Sequence, residues 1–485
     1  MSSEKKSLSE KKTSSEKKTF MERIRSANTR QWVKFALVLL LILAFLIWSG
    51  AWWLLLLIPF ALDIYITKYV PWGGWKESKN PVLKWLAEWV DAIVFALVAV
   101  YIVNLFIFQN YKIPSPSLEK TLRVGDFLFV SKVNYGPRCP MTPLSFPLAQ
   151  HTLPLLNIKS YIDKPQWEYK RLKGFGSVER GDIVVFNFPA GDTVALNRQN
   201  QDYYTLVHEY GRDAVWGNKR EFGEIVVRPV DRRENYVKRC VGLPGDTLQI
   251  ISGVVYTNGE AEKDIPGLQA NYLVEVPNTI SSKFFDKLEV RKEDRVVMNN
   301  WRNGEMFIRQ LGYGDSTGAV PLVYRLPLTK AALEEMKKYS GVISIKKEPA
   351  IFSGETFPLS MRKDWTRDDF GPICIPKKGA SVKLDLSNLP LYEQIIRNYE
   401  LNELEVKDGQ IYINGAVADS YTFKMDYYWM MGDNRHNSAD SRFWGFVPED
   451  HIVGKPICIW LSFDEDKKFP FNIRWSRMFT KVHPD

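Results

Sequence analysis

Two long apolar stretches occupy the first quarter of the chain, whereas short runs of alternating character fill the rest. Trp32 to Val70 is almost wholly apolar, with charged residues only near its ends, and Leu86 to Phe108 forms a second apolar block. A membrane-spanning helix needs about 20 apolar residues. The first block is therefore too long for one helix and close to the length of two, and the second block predicts one further span.

The middle of the first block carries the signal for a turn. Residues 48–53 read Trp-Ser-Gly-Ala-Trp-Trp, in which small turn residues are flanked by aromatics that favour a membrane interface. This pattern predicts a tight helical hairpin. A single tilted helix with an interfacial extension is the alternative.

Positive charge is concentrated at the N-terminus. The first thirty residues hold nine Lys/Arg against four Glu, and Ser-Glu-Lys-Lys recurs from Ser3, Ser9 and Ser15. Such a tract cannot bury enough apolar surface to fold, so it predicts a disordered tail. It supplies +5 of the net charge of +9, so the remainder is only mildly basic and a nucleic-acid partner is not indicated.

The connector between the apolar blocks is also basic. It carries Lys68, Lys76, Lys79 and Lys84. By the positive-inside rule, the tail and the connector both face the cytoplasm. The first block must then cross twice, and the last span delivers Tyr111 and the following residues to the outside. The apolar run is too long and too far from the start for a cleavable signal peptide.

After residue 110 the pattern is that of a mainly β protein with hairpins. Short β-rich runs alternate with Gly, Pro and Asn-Gly turns. The predicted strands are Phe127–Val130, Ile183–Phe188, Tyr236–Val241, Thr247–Ile251, Val254–Thr257 and Gln410–Ile413. Helices are predicted at Leu328–Lys338 and Pro390–Glu400.

Two longer segments interrupt the strands. Residues 135–177 are proline-rich and irregular, which indicates an excursion across a surface. Residues 258–425 have the character of an insertion, bracketed by LQIISGVVYTNGEA from Leu248 and LEVKDGQIYINGAV from Leu404. Both bracketing stretches predict a β-hairpin with an Asn-Gly near one end, so the insertion repeats one supersecondary unit.

Two serines between prolines, Ser115 and Ser117, are candidates for chemistry. A serine is a weak nucleophile until a base takes its proton. Among the five histidines only His436 lies in a polar cluster, and a lysine held neutral in an apolar setting is the other known base. Lys238, within NYVKRCVG, has such a setting. Cys240 could act as a thiol nucleophile only beside a histidine, and the four cysteines show neither zinc-site spacing nor a disulfide framework.

Four stretches, in this order, resemble the type I signal peptidase family of Ser/Lys membrane proteases. They are IPSPSLEKTLRVGDFLFVSK, RGDIVVFNFP, YVKRCVGLPGDTL and MGDNRHNSADSRFWGFVPEDHIVGK. The resemblance implies a mainly β exported catalytic domain, with an inserted second domain, anchored by N-terminal transmembrane helices. It also implies a serine endopeptidase that removes signal peptides from exported preproteins without a metal or cofactor.

The resemblance assigns roles residue by residue. It implies that Ser117 is the nucleophile and Lys238 its general base, that Ser115 and the Ser117 backbone N–H hold the oxyanion, and that Ser438 orients the lysine amine. The implied structural support consists of Asp433, Arg239, Asp440 and Arg442. The implied walls of the substrate cleft are Ile113, Leu118, Leu122 and Val237, although ordinary β core explains these four equally well. His436 falls at a variable position of the motif.

The nucleophile segment departs from the family pattern at two positions with backbone consequences. Lys120 replaces the usual proline, and Pro116 replaces the usual glycine between the serines. Pro116 offers no N–H. A catalytically inactive relative that binds extended peptides or an envelope partner is therefore the alternative function, and a chaperone-like binder of extended peptides is a third.

Substrate and location follow from the same resemblance. Signal peptides end in small residues at an A-x-A-like site, so we expect a shallow apolar cleft on the extracytoplasmic side of a bacterial cytoplasmic (inner) membrane, which the chain crosses several times. The expected partners are preprotein signal peptides, the lipid bilayer and the export machinery. The predicted organisation is a tail at 1–30, a transmembrane hairpin at 31–70, a connector at 71–85, a third span at 86–108, a catalytic core at 109–257 and 426–485, and an inserted domain at 258–425.

Overall fold

The computed structural model divides the chain into two compact units, one up to Tyr101 and one from Ile102 onward. The structure describes residues 19–72, 80–146, 148–153, 156, 158–190, 193–198, 201–313, 320–359, 361 and 364–482. The three Ser-Glu-Lys-Lys repeats and the connector lysines Lys76 and Lys79 lie outside the described residues, as does His483.

The first unit is helical. Its helices are α1 Phe20–Ser26, α2 Thr29–Ser49, α3 Leu57–Leu62 and α4 Pro81–Phe106, the last of which continues into the second unit. A 3₁₀ turn, Trp52–Leu56, precedes α3, and a π-helical turn, Asp63–Thr67, follows it.

Helix α1 lies inside the segment that composition predicts to be disordered. It begins after Thr19, whose backbone N–H donates to Glu22 Oε2 at 2.8 Å. A glutamate at the third helical position stabilises a helix start in this way. The average composition of thirty residues conceals this local signal.

After helix α2 the chain turns back on itself, as the Trp-Ser-Gly-Ala-Trp-Trp pattern predicts, whereas a second span in this block stays a prediction. Gly50 ends α2 with a positive φ of 65°, a conformation that glycine adopts without strain. The chain then returns, so that Arg23 Nη1 donates to the carbonyl oxygens of Thr67 at 3.2 Å and Lys68 at 2.7 Å. The chain therefore enters and leaves the hairpin at the same end.

Two helices among the described residues, α2 and α4, are long and apolar enough to cross a membrane. The returning apolar segment, Leu54–Thr67, is shorter. At about 1.5 Å per residue its 14 residues reach about 21 Å, less than the ~30 Å of a hydrocarbon core. None of the residues of α4 is buried.

The second unit is mainly β. Its strands are β1 Phe108–Lys112, β2 Asp126–Ser131, β3 Ile183–Asn187, β4 Thr193–Ala195, β5 Ile225–Val227, β6 Asn235–Gly242, β7 Thr247–Ile251, β8 Val254–Thr257, β9 Glu260–Ala261, β10 Gln269–Val276, β11 Val296–Val297, β12 Leu322–Thr329, β13 Ser344–Lys347, β14 Phe370–Cys374, β15 Ser381–Lys383, β16 Leu404–Lys407, β17 Gln410–Ile413, β18 Ala416–Val417, β19 Ser420–Thr422, β20 Tyr427–Met431, β21 Val447–Pro448, β22 Ile452–Ser462 and β23 Thr480–Lys481. The helices are α5 Tyr203–Tyr210, α6 Arg212–Gly217, α7 Lys219–Phe222, α8 Ser282–Lys287, α9 Gly304–Gln310, α10 Lys330–Lys337, α11 Leu389–Gln394 and α12 Ser441–Trp444.

Among the described residues the largest sheet has eight strands in the order β1-β2-β22-β3-β6-β20-β21, with β23 paired to β22. Its neighbours pair antiparallel. Strands from residues 108–242 are thus interleaved with strands from residues 427–481. The chain segments on either side of the predicted insertion therefore build one sheet, and this brings the first and last motifs together.

All described residues of the predicted insertion belong to the second compact unit, and a separate inserted domain stays a prediction. Its two bracketing hairpins have the same topology, with β7-β8-β9 and β16-β17-β18 each pairing in sequence. Asn258 and Asn414 adopt positive φ in the two turns, as the predicted Asn-Gly type I′ geometry requires. Strand β10 then connects to the last motif through a parallel bridge between Gln269 and Asn434.

Three arginines fasten the irregular excursion, residues 135–177, to the rest of the unit by donating to backbone carbonyls. Arg171 donates to Gly136 at 2.7 Å, and also to Glu449 and Ile452 on the far side. Arg138 donates to the Asp450 carbonyl, and Arg232 to that of Thr142. Such bonds satisfy backbone groups that have no strand partner.

Candidate active site

The loop between β1 and β2 carries both candidate serines. Backbone hydrogen bonds between Ile113 and residues 125–126 close the loop at its base. Within it, Pro116–Leu118 forms a single 3₁₀ turn, and Pro116 occupies the first position, where a missing N–H costs nothing. Ser117 is 6% exposed, whereas Ser115 is open to solvent.

Ser117 meets Lys238, the predicted base, across 121 residues of sequence. The Lys238 Nζ lies 2.8 Å from the Ser117 Oγ and donates to the Val237 carbonyl at 3.1 Å. Strand β6 holds the lysine because its neighbours β3 and β20 pair on both sides of it. The two side chains are therefore within proton-transfer distance.

The amine of Lys238 is almost fully removed from water. Its residue is 3% exposed, and its Nζ lies 5.4 Å from the centre of the Tyr236 ring on the same face of β6. This desolvation lowers the pKa of Lys238 to about 8, although the carboxylates of Asp440 and Asp433 act in the opposite direction.

Each of those carboxylates has its own arginine partner. Arg239 makes two bonds to Asp433, from Nε and Nη2, both at 2.8 Å. Arg442 pairs with Asp440 at 2.9 and 2.8 Å, and although burial alone would raise the pKa of Asp440, this pairing holds it below its usual range. A bidentate partner compensates a buried carboxylate, so these pairs support the site without supplying a base.

Ser115 stands beside the nucleophile. Its Oγ lies 3.4 Å from the Ser117 Oγ. A hydroxyl in this position can donate to an oxygen that develops negative charge next to Ser117. The oxyanion role of Ser115 and of the Ser117 backbone N–H stays a prediction.

Ser438 is buried in the same region, close to Gly432. A Cβ at Gly432 would lie 2.3 Å from the Ser438 Oγ and 2.5 Å from the Ser117 carbonyl oxygen, so only glycine fits there. Ser438 Oγ helps to lower the pKa of Asp440 by proximity but meets no partner at hydrogen-bond geometry among the described residues. The predicted contact with the lysine amine is not formed here, and its orienting role stays a prediction.

Two further residues brace the nucleophile turn, and sequence reasoning did not single them out. Asn434 donates from its backbone to the Ser117 carbonyl at 3.0 Å and from Nδ2 to the Pro116 carbonyl at 3.2 Å. Thr121 donates from Oγ1 to Asp433 at 2.6 Å. The sequence signal that could have identified them is their position, because Thr121 lies in the first of the four motifs and Asn434 in the last.

The four predicted wall residues belong to one apolar cluster with β2, β3 and β22. Ile113, Leu118 and Leu122 are fully buried in it, and Val237 is partly exposed at its edge. Their contact with the core agrees with the ordinary packing explanation. Val237, which precedes Lys238 in β6, is the member that offers surface.

The alternative base, His436, and the alternative nucleophile, Cys240, lie in surroundings that do not favour these roles. His436 Nε2 lies 3.0 Å from Asp368 and its Nδ1 accepts from the Asn271 backbone at 3.2 Å, within a buried polar network that includes Glu348. Burial raises the pKa of the Cys240 thiol, which disfavours the thiolate that a cysteine nucleophile needs. No group of three His, Cys, Asp or Glu side chains in the described part of the chain is arranged to hold a metal ion.

Comparison with known proteins identifies the family. The sequence profile described as "Signal peptidase, peptidase S26" matches residues 86–307 and 416–461, more than half of the chain. Relatives named "Signal peptidase I" include one from Buchnera aphidicola, 24% identical over 83% of each chain, and one from Haemophilus influenzae, 23% identical over 84% of this chain and 79% of the relative. A third, from Helicobacter pylori, is 21% identical over 83% of this chain and 93% of the relative. The chain therefore belongs to the signal peptidase family, peptidase S26, and is a serine endopeptidase.

Proposed function

We propose that this protein is a membrane-bound endopeptidase that removes N-terminal signal peptides from exported preproteins, with Ser117 as nucleophile and Lys238 as general base. The observation that carries the proposal is the 2.8 Å contact between Ser117 Oγ and the buried Lys238 Nζ. The family and its relatives named signal peptidase I support the substrate class.

In the first half of the reaction, the neutral Lys238 amine accepts the proton of the Ser117 hydroxyl as Oγ attacks the scissile carbonyl carbon. The carbonyl π electrons move onto oxygen, and the Ser117 N–H and the Ser115 hydroxyl donate to that oxyanion. When the C–N bond breaks, the Lys238 ammonium returns its proton to the leaving amine. The product is an acyl-enzyme on Ser117 and a free mature chain.

In the second half, water attacks the acyl carbon while Lys238 accepts a proton from it. Collapse of this intermediate breaks the ester bond, and the lysine reprotonates Ser117 Oγ. A base with a pKa of about 8 is suited to both directions of transfer near neutral pH, because about a tenth of it is neutral at pH 7.

Cleavage after small residues requires a shallow apolar recess beside Ser117. Val237 supplies a partly exposed apolar surface there, and Leu118 and Ile113 lie beneath it in the same cluster. A peptide with a large side chain before the cut would have to displace these buried neighbours, which close-packed cores resist. The A-x-A-like preference is therefore part of the proposal.

The proposed membrane arrangement is supported by the end at which the first apolar block closes. The contact of Arg23 with Thr67 and Lys68 favours a shared side for the tail and the connector, and both are basic. Helix α4 then crosses once, so the catalytic residues lie on the opposite, extracytoplasmic side. Labelling of cysteines introduced at Ser26 and at Ser420 with an impermeant reagent should react at only one of the two sites in sealed cells; equal labelling would contradict this arrangement.

The test of the function uses the full chain in proteoliposomes with one signal-bearing preprotein. Wild type should cleave after the A-x-A site, whereas Ser117→Ala and Lys238→Met should not. The matched controls are Ser420→Ala and Lys481→Met, both at exposed positions of the same unit. Cleavage by both site variants would refute the dyad, and absence of cleavage by the wild type would favour the catalytically inactive relative.

A further inference from the structure

Two residues with unusual backbone conformation face each other next to the nucleophile. Lys120, three residues after Ser117, has a φ of +79°, and Glu289, in the insertion, has a φ of +55°. Proline, which the family pattern favours at position 120, is locked near −65° and could not adopt this conformation. Strained residues persist where their surroundings hold them in place.

Glu289 contacts Lys120 through both its backbone and its side chain. The Lys120 ammonium donates to the Glu289 backbone carbonyl and lies 3.5 Å from Glu289 Oε2. Arg123, at the other end of the same loop segment, donates from Nη2 to that carboxylate oxygen at 2.9 Å. We refer to Lys120, Arg123 and Glu289 as the loop clamp.

The two cations of the clamp are more buried than its carboxylate. The Lys120 side chain is 12% exposed, although the Glu289 carboxylate is 55% exposed. Desolvation lowers the pKa of Lys120, while the charge of Glu289 acts in the opposite direction. One half-exposed carboxylate thus holds two cations of the nucleophile loop.

A second contact of the insertion reaches the same loop. A Cβ at Gly267 would lie 2.9 Å from Thr121 Oγ1 and 3.4 Å from Lys120 Cβ, so the backbone at 267 is packed against the loop. Two residues later, Gln269 N donates to the Asp433 carbonyl at 2.9 Å. The insertion therefore touches the nucleophile loop and the motif that braces it.

We propose that the insertion positions the nucleophile, and that Glu289 is a positioning residue that keeps Ser117 Oγ within reach of Lys238 Nζ through Lys120 and Arg123. The proposal rests on the proposed function, and it gives residues 267–289 a role in the turnover step. A displacement of about 1 Å can cost about a hundredfold in rate, so a loosened loop should lower kcat without altering substrate affinity.

The central experiment compares Glu289→Gln with Glu335→Gln in the full chain. Glu335 is a matched control because it is in the same insertion and also pairs with two cations, Lys287 and Lys338 at 2.6 and 2.9 Å, neither of which belongs to the nucleophile loop. We expect Glu289→Gln to lower kcat about tenfold, with KM within twofold and an unchanged unfolding midpoint. Glu335→Gln should cleave at the wild-type rate.

Two further measurements distinguish a positioning role of Glu289 from a purely structural one. Lys120→Gln combined with Glu289→Gln should lose less than the sum of the two single losses, because both variants weaken the same loop clamp. Rising ionic strength should slow wild-type turnover toward the Glu289→Gln rate and leave that variant unaffected.

Several outcomes would overturn the proposal. These are a wild-type kcat in Glu289→Gln, a loss carried entirely by KM or by unfolding, an equal loss in Glu335→Gln, and additive losses in the double variant. Failure of the wild type to cleave would instead overturn the proposed function, so the two failures are distinguishable.

Discussion

Replacing Lys238 with methionine should abolish cleavage and yet stabilise the protein at neutral pH. The amine is buried, and its pKa is about 8 in the folded chain against an ordinary value of 10.5. At pH 7 the amine is mostly charged in both states, so folding must desolvate a charge at a cost of about 3 kcal/mol. Methionine avoids this cost but loses two hydrogen bonds worth about 1 kcal/mol each. The expected net gain is about 1 kcal/mol.

The way the stability difference between wild type and Lys238→Met changes with pH does not depend on the value assigned to those hydrogen bonds. Between pH 8 and 10.5 the unfolded chain binds more protons at Lys238 than the folded chain does, so wild-type stability rises with pH relative to the variant. The cost falls from about 3 kcal/mol at pH 7 to about 1.4 kcal/mol at pH 9.5. Between pH 7 and pH 9.5 the free energy of unfolding of wild type should therefore rise by about 2 kcal/mol relative to that of the variant.

Urea unfolding of the full chain in detergent, followed by tryptophan fluorescence at pH 7 and 9.5, measures both quantities. Lys481→Met, at an exposed position of β23, is the control and should change neither. The reasoning is refuted if Lys238→Met is less stable than wild type at pH 7 and the difference does not change with pH.

Three further substitutions and one chelation experiment each test a different feature of the site. Ser115→Ala should lower kcat about a hundredfold with little change in KM, because an oxyanion donor is lost; steady-state cleavage at the wild-type rate would exclude that role. Arg239→Met leaves the Asp433 carboxylate buried without its bidentate partner and should cost about 3–5 kcal/mol in urea unfolding, so a change below 1 kcal/mol would count against it. Gly432→Ala forces a Cβ to within 2.5 Å of the Ser117 carbonyl oxygen and should abolish cleavage while preserving the fold by circular dichroism; an active variant would show that the loop yields. Incubation with a chelator should leave cleavage unchanged, and a loss that added metal restores would contradict the lysine mechanism.

Local sequence patterns predicted much of the second unit. The boundaries of β7, β8 and β17 agree with the predicted strands, because each is a short β-rich run ended by a tight turn. The predicted helix at 328–338 begins two residues later, since β12 continues to Thr329, which then caps the helix by accepting from the Ala332 backbone N–H.

Contacts between residues far apart in the sequence were harder to predict. The contact between Ser117 and Lys238 was expected only because their motifs resemble a known family, since periodicity cannot bring residues 121 positions apart together. The bond between Lys120 and Glu289 had no such guide: the sequence showed a lysine where the family has proline, but not the conformation that makes a proline unsuitable there. The buried network around His436 likewise depends on Asp368, which is far away in the sequence.

The pH dependence of the first turnover tests most directly whether a neutral lysine takes the serine proton. Wild type should show a single-turnover cleavage rate that rises tenfold per pH unit at low pH and levels off around pH 8, because only the uncharged Lys238 amine can accept the proton. A rate that stays flat from pH 5 to 10 in a protein that cleaves would contradict the account.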